Sequence, residues 1–174
     1  KRIYVGAGAS ALIAIVALAT MVSGAIARSG ATPLPASSCS AIQNASGQYL
    51  IASDLPLEGS GRTQTSQMTR AIQFILKKHG YKAGKYSLAY QSCDDATAQA
   101  GKWDSSKESA NANAYPQDSS VAGVSGTFNS GAAEIAIPIL NRAPNGPIAM
   151  ISPANTYVGL THPGPGTVAG EPGK

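Results

Sequence analysis

Residues 121–141 read VAGVSGTFNSGAAEIAIPILN. The apolar run Val121 to Val124 stops at a cluster of small polar residues, and a new apolar period begins at Ala132. The cluster holds Ser125, Gly126, Thr127, Asn129, Ser130 and Gly131. A buried strand that passes directly into a helix is half of a parallel crossover unit. The first amides of such a helix lack internal acceptors and carry partial positive charge. Two uses of the cluster are open. Asn129 or Ser130 caps the helix. Alternatively the cluster cradles a small charged ligand, with Ser130 donating its hydroxyl and Gly131 letting the ligand approach the backbone.

The same alternation extends outward in both directions. QYLIAS (48–53) is a short apolar strand ending at Asp54, and DLPLEGSGR is a loop. From Thr63, the residues Met68, Ala71, Ile72, Ile75 and Leu76 recur at helical spacing, and Gly80 stops that helix. KYSLAYQS (85–92) is a second strand, and CDDAT opens a second, mostly polar helical region that runs to about Tyr115. SSVAGVSG is the third strand, Ala132 to Leu140 the third helix despite Pro138, and GPIAMIS (146–152) the fourth strand. This order predicts an α/β fold with an open, parallel, Rossmann-like sheet and right-handed crossovers. The continuous apolar runs predict strands covered on both faces. With strand order 2-1-3-4, the switch point lies between the first and third strands. The loops there are DLPLEG and GTFNSG, so topology alone puts a ligand site at the opening stretch.

The chain has 174 residues and a net charge of +4 from scattered lysines. Lys77, Lys78 and His79 suit the end of a helix dipole, and no basic patch for nucleic acid stands out. Lys1 and Arg2 precede an uncharged run from Ile3 to Ala27, 25 residues that could cross a bilayer as a helix. AIA at 25–27 also resembles a cleavage site, so residues 1–27 read as either a signal peptide or a transmembrane anchor. Either reading places the remainder outside the cytoplasm. The Ser/Ala/Pro/Thr-rich residues 28–47 read as a linker, and both ends of the chain look cut. In an oxidising compartment Cys39 and Cys93 are expected to pair. Cys39 precedes the first strand and Cys93 follows the second, so the linker must then fold back along the sheet.

Other candidates have plainer readings. Asp94 and Asp95 lack a third metal ligand in the sequence and read as a helix cap. Asp54 either binds its own loop or lines the cleft. Trp103 reads as packing, and Asn155 and Tyr157 are candidates for the cleft. Gly59 and Gly61 are not followed by the Lys-Ser/Thr of a phosphate loop. His162 has no partner arranged for catalysis. No nucleophile–base pair or metal set is found, and no cofactor is implied.

LIASDLPLEG, YQSCDDATAQAGKWD and GTFNSGAAEIAIPILNRAPNGPIAMISPANTYVGLT, with GPG…GEP beyond them, resemble the amino-terminal lobe of type I periplasmic-binding proteins. The nearest resemblance is to the branched-chain amino acid (Leu/Ile/Val) receptors of ABC transporters in their actinobacterial form. It covers residues 48–174 and implies one lobe of a two-lobed protein that closes on a small amino acid or related solute. It also implies an ABC permease as partner. Carried over residue by residue, it assigns the ligand's α-carboxylate and α-ammonium to Ser130, Ala154 and Thr156, Ala154 acting through its backbone. No aromatic appears in the first loop to meet a ligand side chain. Similar sequences often carry a cysteine pair where this chain has Glu108 and Ala132, which leaves Cys39 and Cys93 as a separate pair. The expectation is a non-enzymatic extracytoplasmic receptor. The alternative is the ligand-sensing domain of a membrane-anchored signalling protein.

Overall fold

The computed structural model describes residues 30–35, 37–170 and 172. The expected signal or anchor helix at residues 1–27 lies outside them. Among the described residues, no helix is long and apolar enough to cross a membrane. The elements in chain order are β1 (Tyr49–Leu55), α1 (Arg62–Lys78), β2 (Lys82–Ala83), β3 (Tyr86–Asp94), β4 (Ala96–Thr97), β5 (Lys102–Trp103), α2 (Ser105–Ala114), β6 (Val121–Gly126), α3 (Ser130–Asn141) and β7 (Ala149–Ile151).

The main sheet has five strands in the order β2-β3-β1-β6-β7. All its pairings are parallel except the short β2 against β3. Without β2, this is the expected order 2-1-3-4. Register brings the strand ends level, with Asp54 opposite both Cys93 and Gly126.

Alternation along β1 separates the two faces of the sheet. Leu50, Ala52 and Asp54 face α2, since Asp54 bonds Asn111 and Tyr115. The small residues Ala132, Ala133 and Ala136 of α3 are fully or nearly fully buried, which lets the helix pack closely. Leu50, Ala52, Ala89, Val124, Ala136 and Leu140 share one core.

The opposite face departs from the expectation of two covered faces. Ile51, Gly123, Ser125, Ala149 and Ile151 line an apolar hollow of about 310 Å³, and Ile151 is 75% exposed. Helix α1 buries only Thr65 and Thr69, and its apolar residues Phe74 and Ile75 are exposed.

The second helical region also differs from its sequence reading. Asp94 and Asp95 do not open a helix. The chain makes the β4–β5 hairpin first, turning at Gly101 with φ of 63°. Helix α2 starts ten residues later, where the Asp104 carboxylate accepts the Ser106 and Lys107 amides at 3.0 Å. Asp94 ties the hairpin to the loop after β1, accepting the Ala96 amide at 2.9 Å and the Leu57 amide at 2.7 Å.

The stretch read as a linker packs against the sheet. Ala31, Leu34 and Cys39 are buried. Residues 38–43 run antiparallel to β3, with Ser40 N donating to Ser92 O at 2.7 Å and Gln43 N to Tyr90 O at 2.8 Å. The Gln91 side chain accepts Leu34 N and donates to Ser40 O, both at 2.7 Å. The segment thus covers the edge of β3 beyond β2, which an exposed edge strand requires. Its return along the sheet places Cys39 beside Cys93, and the two form a disulfide.

Candidate functional site

The parallel strands end at loops on one edge of the sheet, and side chains tie two of those loops together. Ser152 Oγ donates to Thr127 O at 2.7 Å and accepts the Ala154 and Asn155 amides at 3.1 and 2.8 Å. Asn155 Nδ2 donates to Thr127 O and Phe128 O, both at 3.2 Å. Ser130 Oγ accepts the amides of Thr156 and Tyr157 at 3.2 and 3.3 Å.

The expected side-chain cap of α3 is not made. Asn129 occupies the cap position without a side-chain bond to the helix, and the Ala132 and Ala133 amides instead reach its carbonyl at 3.1 and 3.2 Å. Ser130 turns away from its own helix toward the loop after β7. A hydroxyl offers one donor and two acceptor positions. With two amides on its oxygen, what Ser130 has left is its O–H, the polarity a carboxylate needs.

The seven residues singled out for the ligand are not all in one place. Asn155, Thr156 and Tyr157 line a cavity of about 470 Å³ with Ile137, Met150 and His162 among its walls. Asn129, Ser130, Gly131 and Ala154 are not among the lining residues. The Ala154 amide is held by Ser152, so its carbonyl is the backbone group left for a ligand. The space beside Gly131 is taken by Trp103: a Cβ there would lie 2.7 Å from Cζ2 of the indole. Trp103 therefore packs against the start of α3, and bare backbone at Gly131 accommodates the ring.

Beneath the loops lies a cluster that the sequence did not disclose. Asp54, Asp95 and Glu108 are all fully buried, from the end of β1, the residue after β3 and the first turn of α2. Asp54 accepts Asn111 Nδ2 at 3.0 Å and the Tyr115 hydroxyl at 2.6 Å. Burial is the main force on all three carboxyl groups. It pushes Asp54 up to about 6, Asp95 to about 8 and Glu108 to about 10; repulsion from Asp94 adds to the Asp54 shift, from Asp54 and Asp94 to the Asp95 shift, and from Asp54 and Asp95 to the Glu108 shift. The Tyr115 hydroxyl is raised for the same reasons. Lys107 does not enter the cluster: its ammonium binds Asp94 at 3.2 Å and the Ala96 carbonyl. Glu108 was visible in the sequence only as a departure from a cysteine. Asn111 and Tyr115 left no signal, because their partner is distant in the chain.

No family model and no curated protein matches the chain. Solved structures do. A putative branched-chain amino acid ABC transporter protein from Rhodospirillum rubrum aligns with a TM-score of 0.55 at 20% identity, over 65% of this chain and 31% of its own. A solute-binding protein of an ABC transporter from Rhodopseudomonas palustris, in complex with 3,4-dihydroxybenzoic acid, aligns with a TM-score of 0.55 at 20% identity, over 65% and 29%. The branched-chain amino acid transporter substrate-binding protein of Streptococcus pneumoniae, in complex with isoleucine, aligns with a TM-score of 0.55 at 18% identity, over 66% and 31%. The described residues carry the fold of a single lobe of such proteins, and the chain spans about 30% of their length.

Proposed function

We propose that this chain is the ligand-facing lobe of an extracytoplasmic solute receptor that serves an ABC permease. The solute is a small amino acid or a related carboxylate. It sits at the carboxyl edge of the sheet, where Ser130 O–H, Thr156 and the Ala154 carbonyl meet its charged groups. Asn129, Gly131, Asn155 and Tyr157 shape that edge. The observation that carries this reading is the pair of amide bonds to Ser130 Oγ. They fix the start of α3 against the loop after β7 and leave the hydroxyl as a donor. The likeness of the fold to solved solute-binding proteins of ABC transporters supports the reading as a receptor lobe.

One lobe encloses only part of a ligand, whereas small-molecule pockets bury most of theirs. The 174-residue chain is therefore expected to bind weakly. The test is amide chemical-shift mapping of the full chain with isoleucine, leucine, valine and 3,4-dihydroxybenzoate. Shifts at Ser130, Thr156 and Tyr157 that saturate with one of them are expected. Ser130→Ala and Thr156→Ala should each weaken that binding roughly ten- to a hundred-fold, the worth of a hydrogen bond to a charged group. Lys82→Ala, on exposed β2, should change nothing. Unchanged affinity in both loop variants, with the fold intact, would show that other loops hold the solute.

A further inference from the structure

The acid cluster beneath the loops has a feature that solute binding does not explain. Neither carboxylate oxygen of Asp95 and neither of Glu108 has a hydrogen-bond partner, although both side chains are fully buried. Buried charges are normally paired or bound to metal, because desolvation otherwise costs several kcal/mol per ion. Among the described residues the one ion pair is Lys107 with Asp94, and it includes neither Asp95 nor Glu108. Three carboxylate oxygens nevertheless converge. One oxygen each from Asp54, Asp95 and Glu108 lies within 4.8 Å of the other two. A calcium ion holds its oxygens at roughly 2.3–2.6 Å, so two ligands across it stand up to about 5 Å apart.

We propose that Asp54, Asp95 and Glu108 form a buried binding site for a hard divalent cation, with calcium the best match. The ligand set is all oxygen, with no histidine or thiolate to favour zinc or copper. It is anionic enough to repay dehydration of the ion. Asn111 and Tyr115 supply an outer layer that orients Asp54, as supporting groups do around metal ligands. The ion would tie the ends of β1 and β3 to α2. Asp54 is also in register with Gly126, immediately before Thr127 and the loop that Ser152 and Asn155 grip. The cation thereby steadies the edge on which the solute is proposed to sit, but the site stands without that reading.

The test uses the purified full chain, stripped with a chelator and titrated with calcium chloride, magnesium chloride or terbium chloride. Calcium is expected to raise the melting temperature saturably, with a Kd on the order of 10⁻⁴–10⁻³ M or tighter, as in extracellular calcium modules. Magnesium should act more weakly. Terbium should luminesce on excitation of tyrosine, because the Tyr115 hydroxyl lies 2.6 Å from Asp54. Asp95→Asn and Glu108→Gln keep the shape and remove a charge, and each should weaken calcium at least tenfold. If millimolar calcium gives no shift and terbium no luminescence in the unmodified chain, the carboxyl groups share protons instead and the proposal is wrong. The same holds if both variants fold and bind calcium as the unmodified chain does. The unmodified titration decides the matter even if a variant fails to fold.

Discussion

Breaking the Cys39–Cys93 disulfide tests whether the first described segment belongs to the folded lobe. The bond closes a loop between residues separated by 54 positions. In the chain-entropy relation a loop of that size stabilises the native state by about 4 kcal/mol. For a domain of this size that corresponds to a fall of roughly 8–16 °C in melting temperature. The structure limits what else is lost. Residues 38–43 stay attached to β3 through the Ser40, Gln43, Tyr90 and Asp94 amides. Leu34 remains held by Gln91. Reduction should therefore destabilise the lobe without detaching the segment. Thermal melts with and without reductant measure the fall, and amide exchange at Gln43 and Tyr90 shows whether the pairing survives. A Cys39→Ala/Cys93→Ala variant should behave like the reduced chain. Intact mass after alkylation without reductant should show no free thiol. Two alkylated cysteines under those conditions, or equal melting of the oxidised and fully reduced chains, would refute the reasoning.

Leu34→Ala empties a site that is 4% exposed, and should cost about 2–5 kcal/mol by denaturant titration; a true linker would lose almost nothing. Gly131→Ala drives a methyl group into the Trp103 ring. It should cost about 1–3 kcal/mol through overpacking and alter the emission of the chain's single tryptophan, read by fluorescence. The metal-free chain should lose stability as pH rises. Glu108 and Asp95 have folded pKa values raised to about 10 and about 8, so folding retains protons that the unfolded chain releases. Their contribution is fully present below the unfolded carboxyl range near pH 4 and is lost as pH climbs through the folded values. Melts in chelator from pH 5 to pH 9 should show this decline, and Glu108→Gln should flatten it. A melting temperature that rises across that range would contradict the burial of these acids.

What the sequence disclosed and what it hid divide along a physical line. The strands at 49–55, 86–94 and 121–126 were legible because each is a short apolar run bounded by polar or glycine residues, and their order is the common one for an open parallel sheet of this kind. Helix α1 was legible from its period, yet the period misled about its surroundings, since Phe74 and Ile75 are exposed. Periodicity reports which residues share a face and not whether anything covers it. Residues 31–43 looked like a linker because their composition is that of linkers. Their attachment rests on backbone pairing, the Gln91 amide, the disulfide and the buried Ala31 and Leu34, which are too few to make a hydrophobic period.

Helix α2 carries this furthest. Its buried residues are Glu108, Asn111 and Ala112, so it has almost no apolar stripe to reveal where it docks. Polar contacts do much of the placing: Asp104 starts the helix, and Asn111 and Tyr115 meet Asp54 across the sheet. Those partners lie 57 and 61 residues apart. Only the register of β1 with β3 and β6 brings them together. A buried polar attachment of this kind is costly when any member lacks its partner. The two acids that lack one, Asp95 and Glu108, are therefore where the fold has a physical reason to take up something from outside the chain.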